Sequence, residues 1–187
     1  MELIGLYLIA AGLLVAAGAA KAARPDDTAR AVAALLPGSV PFGLLRWTVR
    51  VGAVAEAALG AVAVALPRPL TAGLVALSYV CFAGVVAYAR RRGGALATCG
   101  CFGRPDTPPT ALHLVIDLGL AGAASLLAAG APAHGTLVTQ LAGQPWAGFP
   151  LLFVSAAGLW LTALALSALA ALTAARRVAR PVPVGPS

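Results

Sequence analysis

Two cysteines one residue apart, Cys99 and Cys101, are the residues of this chain best suited to chemistry. They lie in the run Thr98-Cys99-Gly100-Cys101-Phe102-Gly103, close to Arg90, Arg91, Arg92 and Arg104. Paired thiols support dithiol/disulfide exchange or soft-metal binding. A Cys-Gly-Cys ring is sterically allowed, because disulfide Cα atoms usually sit ~4.4–6.8 Å apart and Gly100 brings no Cβ to resist the bend. Such a tight ring should be strained, and strained disulfides are more oxidising and more labile. Neighbouring guanidinium charge favours the thiolate. These features point to a redox pair. The plainer alternative is two reduced cysteines in a Gly-rich turn. Zinc requires four ligands in a structural site, and Cys99, Cys101, His113 and Asp106 are poorly spaced for it. Two thiolates alone can hold Cu(I). No bound cofactor or metal centre is expected.

A second group of candidates lies inside the apolar segments. Glu56, Asp117, His113 and Lys21 form a candidate intramembrane polar cluster. A carboxylate at mid-bilayer costs at least ~2.5–3.5 kcal/mol on insertion scales, so such acids face the bundle interior and pair. His113 and Asp117 are four residues apart and share a helix face. Arg50 is expected at the depth of Asp117, as a partner for it, and Lys21 at the same end of the first span. The group serves either as packing glue or in proton transfer beside the thiols, or as a quinone or peptide pocket. Cys81, in the third span, is read as a small buried hydrophobe or as a third, electron-shuttling thiol.

These residues are positioned by a chain that is almost all membrane. Of its 187 residues, 60% are hydrophobic and 10% charged, and the mean hydropathy is +0.92. That lies far outside the soluble globular range. Five apolar segments are each long enough for a ~30 Å hydrocarbon core: Leu3–Ala23, Leu44–Leu66, Leu70–Ala89, Thr110–Gly130 and Pro150–Ala174. The fold class is therefore all-α, a polytopic helical membrane bundle. Pro67-Arg68-Pro69 breaks spans two and three into an antiparallel hairpin. Small residues four apart, Ala53-Ala57-Ala61 and Gly119-Ala123, allow close helix packing. Asp27–Leu36 should form a short amphipathic surface helix, capped by Asp26 or Asp27 and ended by Pro37. The organisation is a bundle over 1–130 holding the cysteine loop, an extracytoplasmic linker over 131–149, a fifth span over 150–175 and a basic, Pro-rich tail over 176–187.

The net charge of +7 does not indicate nucleic acid, because the basic residues flank spans; the lipid bilayer is the partner. Ahead of the first span stands Glu2 and no basic residue, unlike a secretory signal, so that span is expected to stay as an uncleaved helix. Five spans place twelve basic residues on one side and only Arg68 on the other. By the positive-inside rule the N-terminus lies outside a bacterial inner membrane, and the cysteine loop and C-terminus lie in the cytoplasm.

The chain resembles the methylamine-utilisation membrane protein family MauE, within the wider DoxX-like group. The resemblance rests on Ala11-Gly12 through Lys21 in the first span, on Glu56-Ala57-Ala58-Leu59-Gly60 in the second, and above all on Cys99-Gly100-Cys101-Phe102-Gly103 followed by a polar linker and span four. It covers about residues 1–130. Ile116-Asp117 stands where the family often has Arg-Asn or Arg-Asp, and His113 where an aromatic is common. The resemblance implies a four-helix core, here with a fifth C-terminal helix. It also implies support of thiol-disulfide maturation of an extracytoplasmic enzyme with a thioredoxin-like partner. In the named family the client is the methylamine dehydrogenase small subunit. The alternative is a non-enzymatic assembly or transport scaffold whose cysteines dock a partner or a soft metal. Quinone-linked disulfide enzymes usually carry Cys-x-x-Cys and a second shuttle pair, and this chain has neither.

Overall fold

The computed structural model describes residues 2–36, 40–91, 110–130, 145–165 and 168. Among these it has six α-helices: α1 (Glu2–Ala23), α2 (Pro25–Leu35), α3 (Phe42–Ala65), α4 (Pro69–Arg91), α5 (Ala111–Ala128) and α6 (Pro145–Leu164). Four helices are long and apolar enough to cross a membrane: Leu3–Ala23, Phe42–Ala65, Pro69–Arg91 and Ala111–Ala128. The chain is a polytopic helical membrane protein. The expected fifth span is helical from Pro145 rather than Pro150, with its apolar stretch at Leu152–Leu164. Cys99, Cys101, Arg92 and Arg104 lie outside the described residues, as do the linker over 131–144 and the tail from 169.

The bundle is built around α1, which packs on α3 most extensively and also meets α2, α4, α5 and α6; α4 and α5 form the second close pair. Tyr7, Ala10, Ala11 and Leu14 are fully buried. A helix that is apolar all round suits the core of a bundle, and α1 leaves only a strip with Leu6, Ala16, Ala19 and the terminal Ala23 exposed. By contrast, α3 buries small residues and, apart from Leu45, exposes most of its large ones. Ala53, Gly60 and Ala63 face inward, while Leu44, Trp47, Val51 and Val54 face out. Lipid is as apolar as leucine, so close packing of small residues holds such helices together.

The α1–α3 crossing is set by two glycines. A Cβ on Gly18 would stand 2.6 Å from the Ala53 carbonyl oxygen and 2.9 Å from the Ala57 Cβ. One on Gly60 would stand 2.6 Å from the Ala11 carbonyl oxygen. Only the absence of side chains allows this approach. The expected small-residue stripe on α3 is thus real at Ala53 and Ala57 and continues at Gly60, while Ala61 is exposed. On α5, Ala123 is buried, but Gly119 is exposed and a Cβ there would meet nothing within 4 Å. Gly119 therefore sets no packing distance.

The hairpin between α3 and α4 follows the expected break. The Arg68 N–H donates to the Leu66 carbonyl at 2.8 Å and to Thr71 Oγ1 at 2.9 Å. The surface helix α2 starts earlier than expected, with Pro25 in its first turn and Arg24 at the N-cap, and no side chain caps it. Proline suits that place because its missing N–H would have no helical partner. Asp26 and Asp27 serve instead as ion-pair partners in the first turn. Asp26 Oδ1 lies 2.9 Å from Arg46 Nε on α3, the charges meeting without an aligned hydrogen bond. Asp27 Oδ1 lies 3.2 Å from Arg30.

Candidate functional site

Lys21, in the last turn of α1, is bonded to Glu56, in the second half of α3. Its Nζ donates to Oε1 at 2.9 Å and to Oε2 at 2.6 Å, and both side chains are only about one-tenth exposed. The helix crossing explains this pairing. Gly18 lies against Ala53 and Ala57, which brings Glu56 to the level of the last turn of α1. Side chains tilt toward a helix N-terminus, so Lys21 reaches back along α1 to that level. The same ammonium stands 4.7 Å from the centroid of the Phe82 ring on α4. That is cation–π distance, and it gives Lys21 a second stabilising contact away from water.

Phe82 is held by Tyr79, whose ring meets it edge-on with centroids 5.9 Å apart. The Tyr79 hydroxyl donates to the Ala10 carbonyl of α1 at 2.7 Å. That bond fixes α4 against the central helix and sets the aromatic wall beside the ion pair.

The third wall is α5. His113, Asp117 and Leu120 follow one another at helical spacing and line the same cavity as Lys21, Glu56 and Phe82. Its volume is about 50 Å³, room for a water or two. His113 is buried and tied to the start of its helix. Its Nδ1 lies 2.8 Å from Thr110 Oγ1 and accepts from the Thr110 N–H at 3.4 Å. With the bond from the His113 backbone to the Thr110 side chain, this is a capping box in which histidine takes the place of the usual Glu or Gln. Nε2 is then the remaining polar atom of the ring.

The four expected polar residues, Lys21, Glu56, His113 and Asp117, are thus brought to one cavity by three different helices. The pairing within it differs from expectation. Arg50 does not meet Asp117: it is exposed, and no ion pair joins them among the described residues. The reason is rotation. At 3.6 residues per turn, positions 50 and 56 are about 120° apart around a helix, so turning Glu56 toward α1 turns Arg50 outward. The same reasoning corrects Cys81, which is exposed rather than a buried hydrophobe: Tyr79 and Phe82 take the inward face of α4. Phe82 and Tyr79 were not anticipated, and their only sequence signal is a three-residue spacing on one helix face. No group of three metal-ligating side chains occurs among the described residues; Cys99 and Cys101 lie outside them.

The family model described as methylamine utilisation protein MauE matches residues 2–130. The chain belongs to the MauE family. The match takes in all four long apolar helices, the residues of the cavity and the cysteine run, and it ends at Gly130, where α5 stops. Gly130 has φ +87, a left-handed conformation suited to glycine past a helix end. The helix α6 lies beyond the MauE match and packs on its central helix, with Leu159 against Gly12. No curated protein and no solved structure matches the chain.

Proposed function

We propose that this MauE-family protein supports thiol-disulfide maturation of an extracytoplasmic enzyme, working with a thioredoxin-like protein through Cys99 and Cys101. The observation that carries the reading is where the cysteine run joins the bundle. The connection leaves α4 at Arg91 and enters α5 at Thr110, each within two turns of a residue lining the polar cavity, Val86 and His113. The cavity, with its carboxylates and ammonium, thus lies at the end of the bundle from which this connection departs. In exchange with a dithiol partner, one partner thiolate attacks the Cys99–Cys101 disulfide to give a mixed disulfide. The second partner thiol then resolves it. Two electrons and two protons pass to the Cys pair, and the partner leaves as its disulfide. Glu56, Asp117, His113 and Lys21 are proposed as the groups that manage charge and protons beside this step. The basic flanks of the spans favour a cytoplasmic position for the pair, where a thioredoxin-like dithiol is the electron donor.

The test is trapping. Cys99→Ser or Cys101→Ser should leave one thiol able to hold the partner as a mixed disulfide, visible on a non-reducing gel and released by reductant. Gly100→Val should hinder ring closure while keeping both thiols, and should slow client maturation. If both serine variants mature the client at the normal rate, the redox reading fails. If Gly100→Val is fully active while both serine variants are dead, the cysteines act by docking or by holding a soft metal.

A further inference from the structure

The geometry points to a binding site for an anionic phospholipid on the outer face of α3, formed by Gly43, Arg46, Trp47 and Arg50. These four residues line one groove and fall at i, i+3, i+4 and i+7, a single helix stripe. The groove is about 320 Å³, and a Cβ on Gly43 would meet nothing within 4 Å, so its floor is open. Arg50 is exposed, and no carboxylate lies within 4 Å of it among the described residues. It stands more than two turns inside a helix of 24 apolar-rich residues. An arginine at that depth lays its stem along apolar surface and carries its guanidinium to the phosphate level. Trp47, 66% exposed, is the residue type that occupies this interface.

Charge complementarity selects the ligand. Asp26 Oδ1 stands 2.9 Å from Nε of Arg46 as an ion pair. A guanidinium has five donors in a fixed fork, so the terminal Nη edge remains for a phosphate. Two guanidiniums less one carboxylate leave one net positive charge at the groove. That matches a headgroup with one net negative charge, such as phosphatidylglycerol, over zwitterionic phosphatidylcholine. The ligand is a lipid rather than free phosphate because the stripe runs on into exposed Val51 and Val54, an apolar track for an acyl chain. This site is separate from the cavity on the inner face of α3 and does not depend on any redox role.

The experiment is native mass spectrometry of the full chain released from detergent with phosphatidylglycerol or phosphatidylcholine. Wild type should retain phosphatidylglycerol preferentially. Arg46→Gln and Arg50→Gln should each weaken that retention about fivefold, the effect of one basic residue near an anionic surface. Arg68→Gln, at the opposite end of α3, should leave retention unchanged. Circular dichroism melts of each variant show whether the fold is kept, and Arg50→Lys, which keeps the charge, should fall between wild type and Arg50→Gln. Equal retention of the two lipids by wild type would overturn the site. So would wild-type retention in folded Arg46→Gln/Arg50→Gln protein. Displacement of the lipid by soluble glycerol phosphate at comparable concentration would show a free-phosphate site and overturn the lipid assignment.

Discussion

Lys21 and Glu56 carry opposite charges into an apolar bundle, and each is tolerated because of the other. Removing one partner of a buried pair leaves an uncompensated charge, which typically costs ~3–5 kcal/mol, whereas replacing both by apolar residues of similar size is often neutral or stabilising. Lys21→Met should therefore lower the thermal midpoint strongly. Glu56→Gln, which keeps an oxygen acceptor for the ammonium, should lower it less. The double variant Lys21→Met/Glu56→Leu should recover most of the loss. Melts of the purified variants in one detergent check the order. Client maturation then separates glue from chemistry: a stable double variant that matures its client normally would show that the pair serves packing alone.

At the scale of elements, the α1–α3 crossing depends on Gly18 and Gly60. Their missing side chains let backbone meet backbone, at distances no Cβ can occupy. Gly60→Ala should push the helices apart and cost about 1–3 kcal/mol, as overpacking does. It should also strain the Lys21–Glu56 contact, which the crossing aligns. Gly119→Ala faces open space. It should be neutral or slightly stabilising, because alanine exceeds glycine in helix propensity by about 1 kcal/mol. Denaturant or thermal titration of both variants side by side is the check; equal effects would mean that the α1–α3 approach is not a point of strain.

For the molecule as a whole, the distribution of basic residues makes a topological prediction. Twelve lie on one side of the expected spans and one on the other. The cysteines should therefore react only with thiol reagents that enter the cytoplasm. Cys81 faces out from the bundle within α4, so the measurement uses a Cys81→Ala background. Labelling of Cys99 or Cys101 in intact cells by an impermeant reagent would reverse the orientation and with it the cytoplasmic donor.

Of the expected fifth span the described apolar stretch is only Leu152–Leu164, whereas the first four spans, the Pro67–Pro69 break and the inward placement of Glu56, His113 and Asp117 were legible in the sequence alone. Each follows from a local rule: span length against bilayer thickness, proline against helix, carboxylate against hydrocarbon. The MauE resemblance was legible for the same reason, since its cysteine run and glycines are contiguous in the chain. What required the tertiary structure was rotation about the helix axes. In a soluble helix the polar face marks the outside, but here lipid and core are both apolar, so hydropathy carries little phase. Lys21 and Glu56 are 35 residues apart, and nothing local says that they meet or that Arg50 turns away from Asp117. Gly60 stands out in the sequence only as part of a motif and Gly18 not at all among 21 glycines; only the packed α1 and α3 show that these two set the crossing, and the crossing decides which charges share the cavity.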